Sequence, residues 1–456
     1  MSEINRPLDR TLAFARETRR LEIEPGIRHR AAEIHTLLFG DVPAIVVADE
    51  RTYQVAGNDV VESFRSAGQP PEEPVLFPPE IVAEDARLDA LKGALSRTEA
   101  IPVVVGSGTL NDLTKLAAHR LGRPYMVVAT AASMDGYTAF GASILHEGSK
   151  QTFACPAPAG VLADLDVIAR APRGMNAAGY ADLLAKNVAG ADWILADAVG
   201  VEPIDPTVWE MIHGPFRRWV DSPAGVARGE PETLRQLVIG LMTTGLAMQQ
   251  ARSSRPASGA EHQLSHLWDM QHHTHLGSIP SHGFKVGLGT LASLALYEDL
   301  LTRDLRNLEI DQTVDCWPTL EQHNVRIKAS FGSGPLAVKA HEETRAKYPH
   351  RDQLRTQLTS LREGWPELQR RLRHHLIPLR QARRMLLEAG CPFEPDQIGI
   401  PRERLHASFE QASFIRRRFT ILDLIQRLGL LDAAMGRLFG PEGVWPLKPD
   451  SDLFTV

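Results

Sequence analysis

Ile101-Pro-Val-Val-Val-Gly106-Ser-Gly108-Thr-Leu-Asn111-Asp112, continued by Leu113-Thr-Lys-Leu-Ala-Ala-His-Arg-Leu121, decides the fold class of this chain. A short apolar run ends in a Gly-X-Gly turn, and helical spacing begins at once behind it. That order reads as a buried parallel strand, a tight turn and a helix. Two further runs repeat the theme, Pro43-Ala-Ile-Val-Val-Ala-Asp49 before it and Pro124-Tyr-Met-Val-Val-Ala-Thr130 after it. Strands alternating with helices predict an open α/β domain built on a parallel sheet. The texture changes near Ala171-Pro172-Arg173-Gly174, and helical stretches follow at residues 180–198, 231–251, 353–389 and 401–437. The expected organisation is an α/β dinucleotide-binding domain over residues 1–172 and an all-α domain over residues 173–456.

A chain of 456 residues exceeds a single ordinary core, which agrees with two domains. Its formal net charge of −6 argues against a nucleic-acid or anionic-membrane partner. Local basic clusters such as Gln369-Arg-Arg-Leu-Arg373 are interspersed with leucine and read as solvated helix faces. Cys155, Cys316 and Cys391 are widely spaced and form no CxxC, so a reducing cytoplasm and three small buried thiols are expected. The opening residues are polar, and no stretch approaches the ~18 apolar residues of a membrane span.

Within the α/β half, Gly106 and Gly108 would let the backbone approach a pyrophosphate at a helix N-terminus. The third glycine of GxGxxG is missing, because position 111 is Asn, so a plain turn remains the other reading. Thr130-Ala-Ala-Ser133 places small residues after the next strand. Asp49 ends an earlier strand, where it could accept hydrogen bonds from a ribose or simply cap a helix. Asp135 precedes Gly136 as a turn residue or a site residue.

In the helical half, His262 and His266 stand four residues apart and share a helix face, where both can reach one centre. A catalytic metal needs about three protein ligands and an open position, although histidine pairs also occur on solvated faces. His282 follows in Ser-His-Gly-Phe-Lys285. Asp182 could complete an Asp/His/His set; the alternatives are a helix N-cap or an i, i+4 pair with Lys186. His272, His273 and His275 read as loop residues. Arg255, in Ser253-Ser-Arg-Pro256, is a candidate phosphate contact or a surface arginine.

Five segments in order resemble the sn-glycerol-1-phosphate dehydrogenase family, of the iron-containing alcohol dehydrogenase and dehydroquinate synthase-like superfamily. They are Ser-Gly-Thr-Leu-Asn-Asp-Leu-Thr-Lys (107–115), Ala-Thr-Ala-Ala-Ser-Met-Asp-Gly-Tyr (129–137), Ala-Asp-Leu-Leu-Ala-Lys (181–186), Ser-Ser-Arg-Pro-Ala-Ser-Gly-Ala-Glu-His (253–262) and His-Gly-Phe-Lys-Val-Gly-Leu-Gly-Thr-Leu (282–291). The resemblance implies metal ligands Asp182, His262 and His282, with zinc, nickel or iron as the divalent ion. It implies substrate contacts from Asp135, Asp182 and His266, with Asp135 and His266 as catalytic residues. It places NAD or NADP against Gly106, Ser107, Gly108, Thr109, Leu110, Thr130, Ala131, Ala132 and Ser133, with Asp49 at the adenosine ribose. One departure is Ala139, where the family usually carries a serine that contacts cofactor.

The resemblance implies an oxidoreductase that interconverts dihydroxyacetone phosphate and glycerol 1-phosphate, in the cytoplasm and as a homodimer. Two related activities share the fold and metal, a glycerol or polyol dehydrogenase and a dehydroquinate synthase-like sugar-phosphate cyclase. The cyclases carry Glu where Asp182 stands, which favours a dehydrogenase.

Overall fold

The computed structural model describes residues 11–146 and 149–447. The outer ends of both expected domains, residues 1–10 and 448–456, lie outside the described residues. In chain order the strands are β1 (Arg20–Glu24), β2 (Ala44–Asp49), β3 (Glu72–Phe77), β4 (Ile101–Gly106), β5 (Met126–Ala129), β6 (Ala142–His146), β7 (Ser149–Phe153) and β8 (Gly160–Asp164). Six of them form one sheet in the order β1-β8-β5-β4-β2-β3, and every pairing in it is parallel. The three apolar runs read from the sequence are β2, β4 and β5, side by side at the sheet centre. Every residue of these three strands is buried, which is why they are apolar without alternation.

The strands that the sequence does not announce are β1, β3 and β8. β1 alternates, burying Leu21 and Ile23 while Arg20 stays exposed, as expected where only part of a strand is covered. β3 carries Pro74, which an edge strand tolerates because one row of its ladder is unused. β6 and β7 pair antiparallel as a separate hairpin.

The strand order fixes where a ligand can approach. From β2 the chain proceeds to β3 on one side; from β4 it proceeds to β5 on the other. Strand order therefore reverses between β2 and β4, and the register sets Ala48 beside Val105. Asp49 and Gly106, the last residues of those strands, flank this switch point at their carboxyl ends, the usual ligand crevice of open α/β sheets.

By their internal contacts the described residues form two compact units. The first runs up to Leu183 and also takes in Asp205–Ala257 and Glu388–Cys391; the second comprises Leu184–Ile204, Ser258–Leu387 and the residues from Pro392 onward. The expected single boundary at residue 172 does not coincide with this division. The long helix Pro231–Ala251 explains much of the difference, since it packs on β1 and bonds back to it. Arg235 pairs with Glu24 at 2.9 Å, and the Gln249 amide donates to the Thr18 hydroxyl at 2.9 Å. The second unit is helical, and its helix His282–Leu301 is buried almost all round, as a central helix must be.

Three of the expected helices are broken, two of them for a local reason. Residues 180–198 span two helices, Arg173–Leu184 and Lys186–Ala198. Residues 353–389 divide into Arg351–His375 and Leu379–Glu388, because Pro378 disfavours helical geometry just before it. Asn187 satisfies that break, donating to the His375 carbonyl and accepting from the Ile377 N–H, both at 2.8 Å. Residues 401–437 divide into Arg402–Phe414, Ile421–Arg427 and Leu431–Leu438, the second opened by a Thr420/Asp423 capping box. The cysteine expectation is corrected at one position: Cys155 and Cys391 are buried, but Cys316 is exposed at the end of a short helix.

His35, on the helix Ala31–Phe39, is packed edge-on between the rings of Phe39 and Phe64, with centroids 4.9 and 5.2 Å away. Burial pushes its pKa down to about 4. Between roughly pH 6.5 and 4 the unfolded chain binds a proton here that the folded chain refuses, so stability falls as pH falls through that window. His323, also pushed down to about 4 chiefly by burial, acts in the same direction. Thermal midpoints recorded from pH 7 to pH 5 should decline for the wild-type protein and decline less for His35→Leu. Equal slopes would show that His35 is not buried in its neutral form.

Candidate functional site

The helix Gly108–Arg120 opens at the end of β4, with Ser107 at its N-cap. Ser107, Gly108 and Thr109 are partly exposed, whereas the Leu110 side chain is buried against Gly106. Leu110 can thus offer a ligand only its backbone. Asn111, which stands where a GxGxxG turn would carry glycine, is buried and accepts from the Tyr125 hydroxyl at 3.1 Å. Across the strand pair, Thr130 donates its N–H to the Gly106 carbonyl at 3.2 Å. Ala131 and Ala132 are buried, and Ala132 N–H is held by the Asn176 side chain at 3.0 Å; Ser133 is half-buried.

Asp49 does cap a helix, as the plainer reading of the sequence allowed. Its Oδ1 accepts from Thr52 N–H at 2.8 Å within a reciprocal capping box. One carboxylate oxygen is committed to that cap, and the residue still sits at the switch point between β2 and β4.

The loop that carries Asp135 is clamped from two sides. The Lys115 ammonium, wholly buried, donates to the carbonyls of Gly136 (3.0 Å), Ala139 (2.7 Å) and Gly141 (3.0 Å). Burial lowers the Lys115 pKa, opposed by the nearby charge of Asp112. Opposite, the helix Pro231–Ala251 comes so close at Gly245 that a Cβ there would run into the Thr138 hydroxyl, the Asp135 carbonyl and the Ala139 N–H. Thr138 donates its hydroxyl to the Met242 carbonyl at 2.7 Å, and Gln249 donates to the Thr138 carbonyl at 2.5 Å. Ala139 lies in a small apolar cluster with Met248 and Ala257, surroundings that suit a methyl group.

Asp135 N–H in turn donates to Asp182 Oδ2 at 3.1 Å. Asp182 is fully buried in the last turn of Arg173–Leu184, so it is not an N-cap. The negative end of the helix dipole is an unfavourable place for a buried carboxylate, and a cation would offset it. Asp182, His262 and His282 each offer one ligand atom, and these atoms lie within 4.8 Å of one another. One carboxylate and two imidazoles are a donor set that suits zinc, nickel or iron(II), so the residues fit a single divalent ion.

The helix Ala260–Met270 carries His262 and His266, and His282 opens the next helix behind the Ser281 cap. Ring centroids are 5.3 Å apart for His262 and His282, 6.1 Å for His262 and His266, and 6.2 Å for His266 and His282. His266, half-buried, is beside the donor trio without belonging to it. His273 lies in the loop after Ala260–Met270, as read, but it is buried there, with one ring nitrogen 2.7 Å from the Ile398 carbonyl and the other 2.7 Å from Arg404. His272 and His275 do lie in the following loop, His272 with a left-handed φ of 52°. Arg255 is not a surface residue, being 1% exposed.

Three participants escaped the sequence reading. Lys115 was visible only as a member of a family segment. Glu261 precedes His262 directly, and its Oε1 lies 2.7 Å from His262 Nδ1. Asp192 accepts from Ala260 N–H at 2.7 Å, Ile421 N–H at 2.8 Å and the Tyr297 hydroxyl at 2.6 Å. Burial, then the charge of Glu261, pushes its pKa up to about 7. Glu261 could have been found by asking what orients a ligand histidine, whereas Asp192 left no local signal.

The family model described as iron-containing alcohol dehydrogenase matches residues 22–172. The glycerol-1-phosphate dehydrogenase [NAD(P)+] of Halalkalibacterium halodurans is 36% identical over 257 residues, 56% of this chain and 64% of that protein, so this match spans just under two thirds of the relative's length. The enzyme of the same name from Methanothermobacter thermautotrophicus is 30% identical over 60% of this chain and 76% of its own length. Among solved structures, the glycerol dehydrogenase of Schizosaccharomyces pombe aligns with a TM-score of 0.58 over 92% of this chain and 90% of that one, at 16% identity, a likeness of fold. A parallel-sheet α/β region followed by a helical region is common to both.

The close approach at Gly245 yields a test of the loop clamp. Gly245→Ala introduces a methyl group against the Thr138 hydroxyl and against the backbone of Asp135 and Ala139. It should cost about 1–3 kcal/mol, the usual penalty for overpacking, read as a lower urea midpoint with an unchanged slope. A midpoint equal to the wild type would show that the helix and the Asp135 loop are not in contact at this point.

Proposed function

Because the chain belongs to the iron-containing alcohol dehydrogenases, and within them to the glycerol-1-phosphate dehydrogenases, we propose that it interconverts dihydroxyacetone phosphate and sn-glycerol 1-phosphate with a nicotinamide nucleotide. The observation that carries the reading is the convergence of Asp182, His262 and His282 on one point. These three residues would hold the divalent ion. When bound, that ion supplies Lewis-acid polarisation of the ketone, and the nucleotide supplies the hydride or takes it up.

The remaining tasks fall to the chain's own side chains. His266, one turn from His262 and part of the same ring cluster, hydrogen bonds the substrate and gives up the proton that reduction requires. Asp135 accepts from a substrate hydroxyl, its loop held rigid by Lys115 and Gly245. The N–H groups of Ser107 to Leu110 receive the pyrophosphate, with Gly106 and residues Thr130 to Ser133 lining the nucleotide. Arg255 serves the substrate phosphate as a buried guanidinium. A cytoplasmic location and a homodimeric state complete the proposal; among the described residues no helix is long and apolar enough to cross a membrane.

A substrate panel tests the reaction. With NADH and zinc or nickel supplied, dihydroxyacetone phosphate should be turned over with stoichiometric loss of NADH, and unphosphorylated dihydroxyacetone far more slowly. Chelation should abolish the activity and a divalent ion restore it. Turnover of a sugar phosphate without net NADH consumption would replace the dehydrogenase with a cyclase.

Cofactor choice tests Asp49. Its charge at the end of β2 would repel a 2′-phosphate, so kcat/KM should be higher with NADH than with NADPH. Asp49→Ser keeps an acceptor for the helix cap while removing the charge, so the protein should fold and the preference should narrow. A wild-type preference for NADPH would remove Asp49 from the ribose.

A further inference from the structure

Nothing so far accounts for Glu261, although it stands beside a proposed ligand and is fully buried. Its Oε1 accepts the Gly259 N–H at 2.7 Å and lies 2.7 Å from His262 Nδ1. A carboxylate oxygen can only accept, so His262 Nδ1 is the donor in that contact. The imidazole then carries its proton on Nδ1 and presents the Nε2 lone pair away from Glu261.

The other carboxylate oxygen is the unusual feature. Glu261 Oε2 is buried and has no hydrogen-bond partner among the described residues. Leaving such an atom unmatched destabilises a fold, so Glu261 is a poor choice for holding the helix together. Room for the carboxyl is nonetheless built in by Gly259, and room for the backbone of Glu261 by Gly289. A Cβ at Gly259 would come within 2.8 Å of Oε2 and would collide with Asp192 Oδ2. A Cβ at Gly289, on the helix that begins with His282, would strike the Glu261 carbonyl. Both glycines fall in segments of the sequence that the catalytic roles leave unexplained: Ser-Gly-Ala-Glu-His and Val-Gly-Leu-Gly.

We infer that Glu261 is a positioning residue for the metal centre: its carboxylate fixes the ring orientation and tautomer of His262, in a space kept open by Gly259, while Gly289 seats the Glu261 backbone. The inference rests on the proposed ligand set. A carboxylate behind a ligand histidine raises the histidine's affinity for a cation, and removing such a partner typically weakens binding about 10- to 100-fold. In this role Glu261 acts through His262.

The experiment is a zinc titration of the metal-free full-length protein in competition with a chromophoric chelator. It is paired with the absorption spectrum of the cobalt(II)-loaded form and with the unfolding midpoint of each metal-free variant. Wild type and His262→Ala serve as references, the first expected to bind one equivalent and the second to lose it. Glu261→Ala and Glu261→Asp should both weaken zinc binding roughly 10- to 100-fold, because neither reaches Nδ1. Glu261→Gln, which keeps an acceptor oxygen at that reach, should lose less, and the cobalt spectrum should shift in Ala and Asp but hardly in Gln. Should Glu261→Ala fail to fold, the order of Gln above Asp decides the matter. Affinities of all three within twofold of wild type, or Asp binding more tightly than Gln, would overturn the role of Glu261. If wild type binds no stoichiometric metal, or His262→Ala keeps it, the ligand set itself fails, an outcome separate from failure at Glu261 alone.

Discussion

A single buried carboxylate, Asp192, organises the helical unit. One oxygen accepts the N–H at the start of the histidine helix; the other accepts the Tyr297 hydroxyl and the Ile421 N–H. Tyr297 belongs to His282–Leu301 and Ile421 to the short helix Ile421–Arg427, so one side chain ties three helices. The separation of the His262 and His282 rings is set by how the first two of these helices cross, and that crossing is fixed at Asp192 and at Gly289. Three donors around a buried acid are worth far more than a surface ion pair, since the alternative is a desolvated and unmatched carboxyl.

The α/β unit follows the same economy of means with the opposite charge. Lys115 brings a buried ammonium under the loop after β5 and satisfies three carbonyls that would otherwise point into the protein. Its three donors match three acceptors, which is what allows a lysine to be wholly buried. Gly245 and Gly179 complete the arrangement by letting helices approach that loop at backbone distance; a Cβ at Gly179 would collide with the Ala132 carbonyl. Asp135 is thus held by groups that take no part in chemistry, as a residue that must meet a substrate without reorganisation should be.

Position along the chain and position in the fold are decoupled around the site. Asp182 comes from the last turn of one helix, Asp135 from a loop, His262 and His266 from one helix face and His282 from the first turn of another. The elements differ, but apart from His266, in mid-helix, each residue sits in the first or last turn of a helix or on a loop held by buried charge, so the side chains have little freedom left to lose.

Local pattern determined much of this protein. Apolar runs that end in an acid, in Gly-X-Gly or in Thr130 identified β2, β4 and β5, because a strand buried on both faces must be continuously hydrophobic. Spacing of four put His262 and His266 on one face, since the helical period is fixed by backbone geometry. The family segments pointed to Asp182 and His282 as their companions. Only the tertiary structure decided the rest. Strand order, and with it the switch point beside Asp49, depends on which chain segments pair, and edge strands such as β1 and β3 carry too weak a pattern to show it. The breaks at Pro378 and Thr420 interrupt runs whose composition remains helical. The burial of Arg255 and of the loop residue His273 is hidden because polarity is visible in sequence while burial is not. Glu261 and Asp192 are ordinary acids until packing removes their water, and only then does the physical cost of burying a charge turn them into the supports of the site.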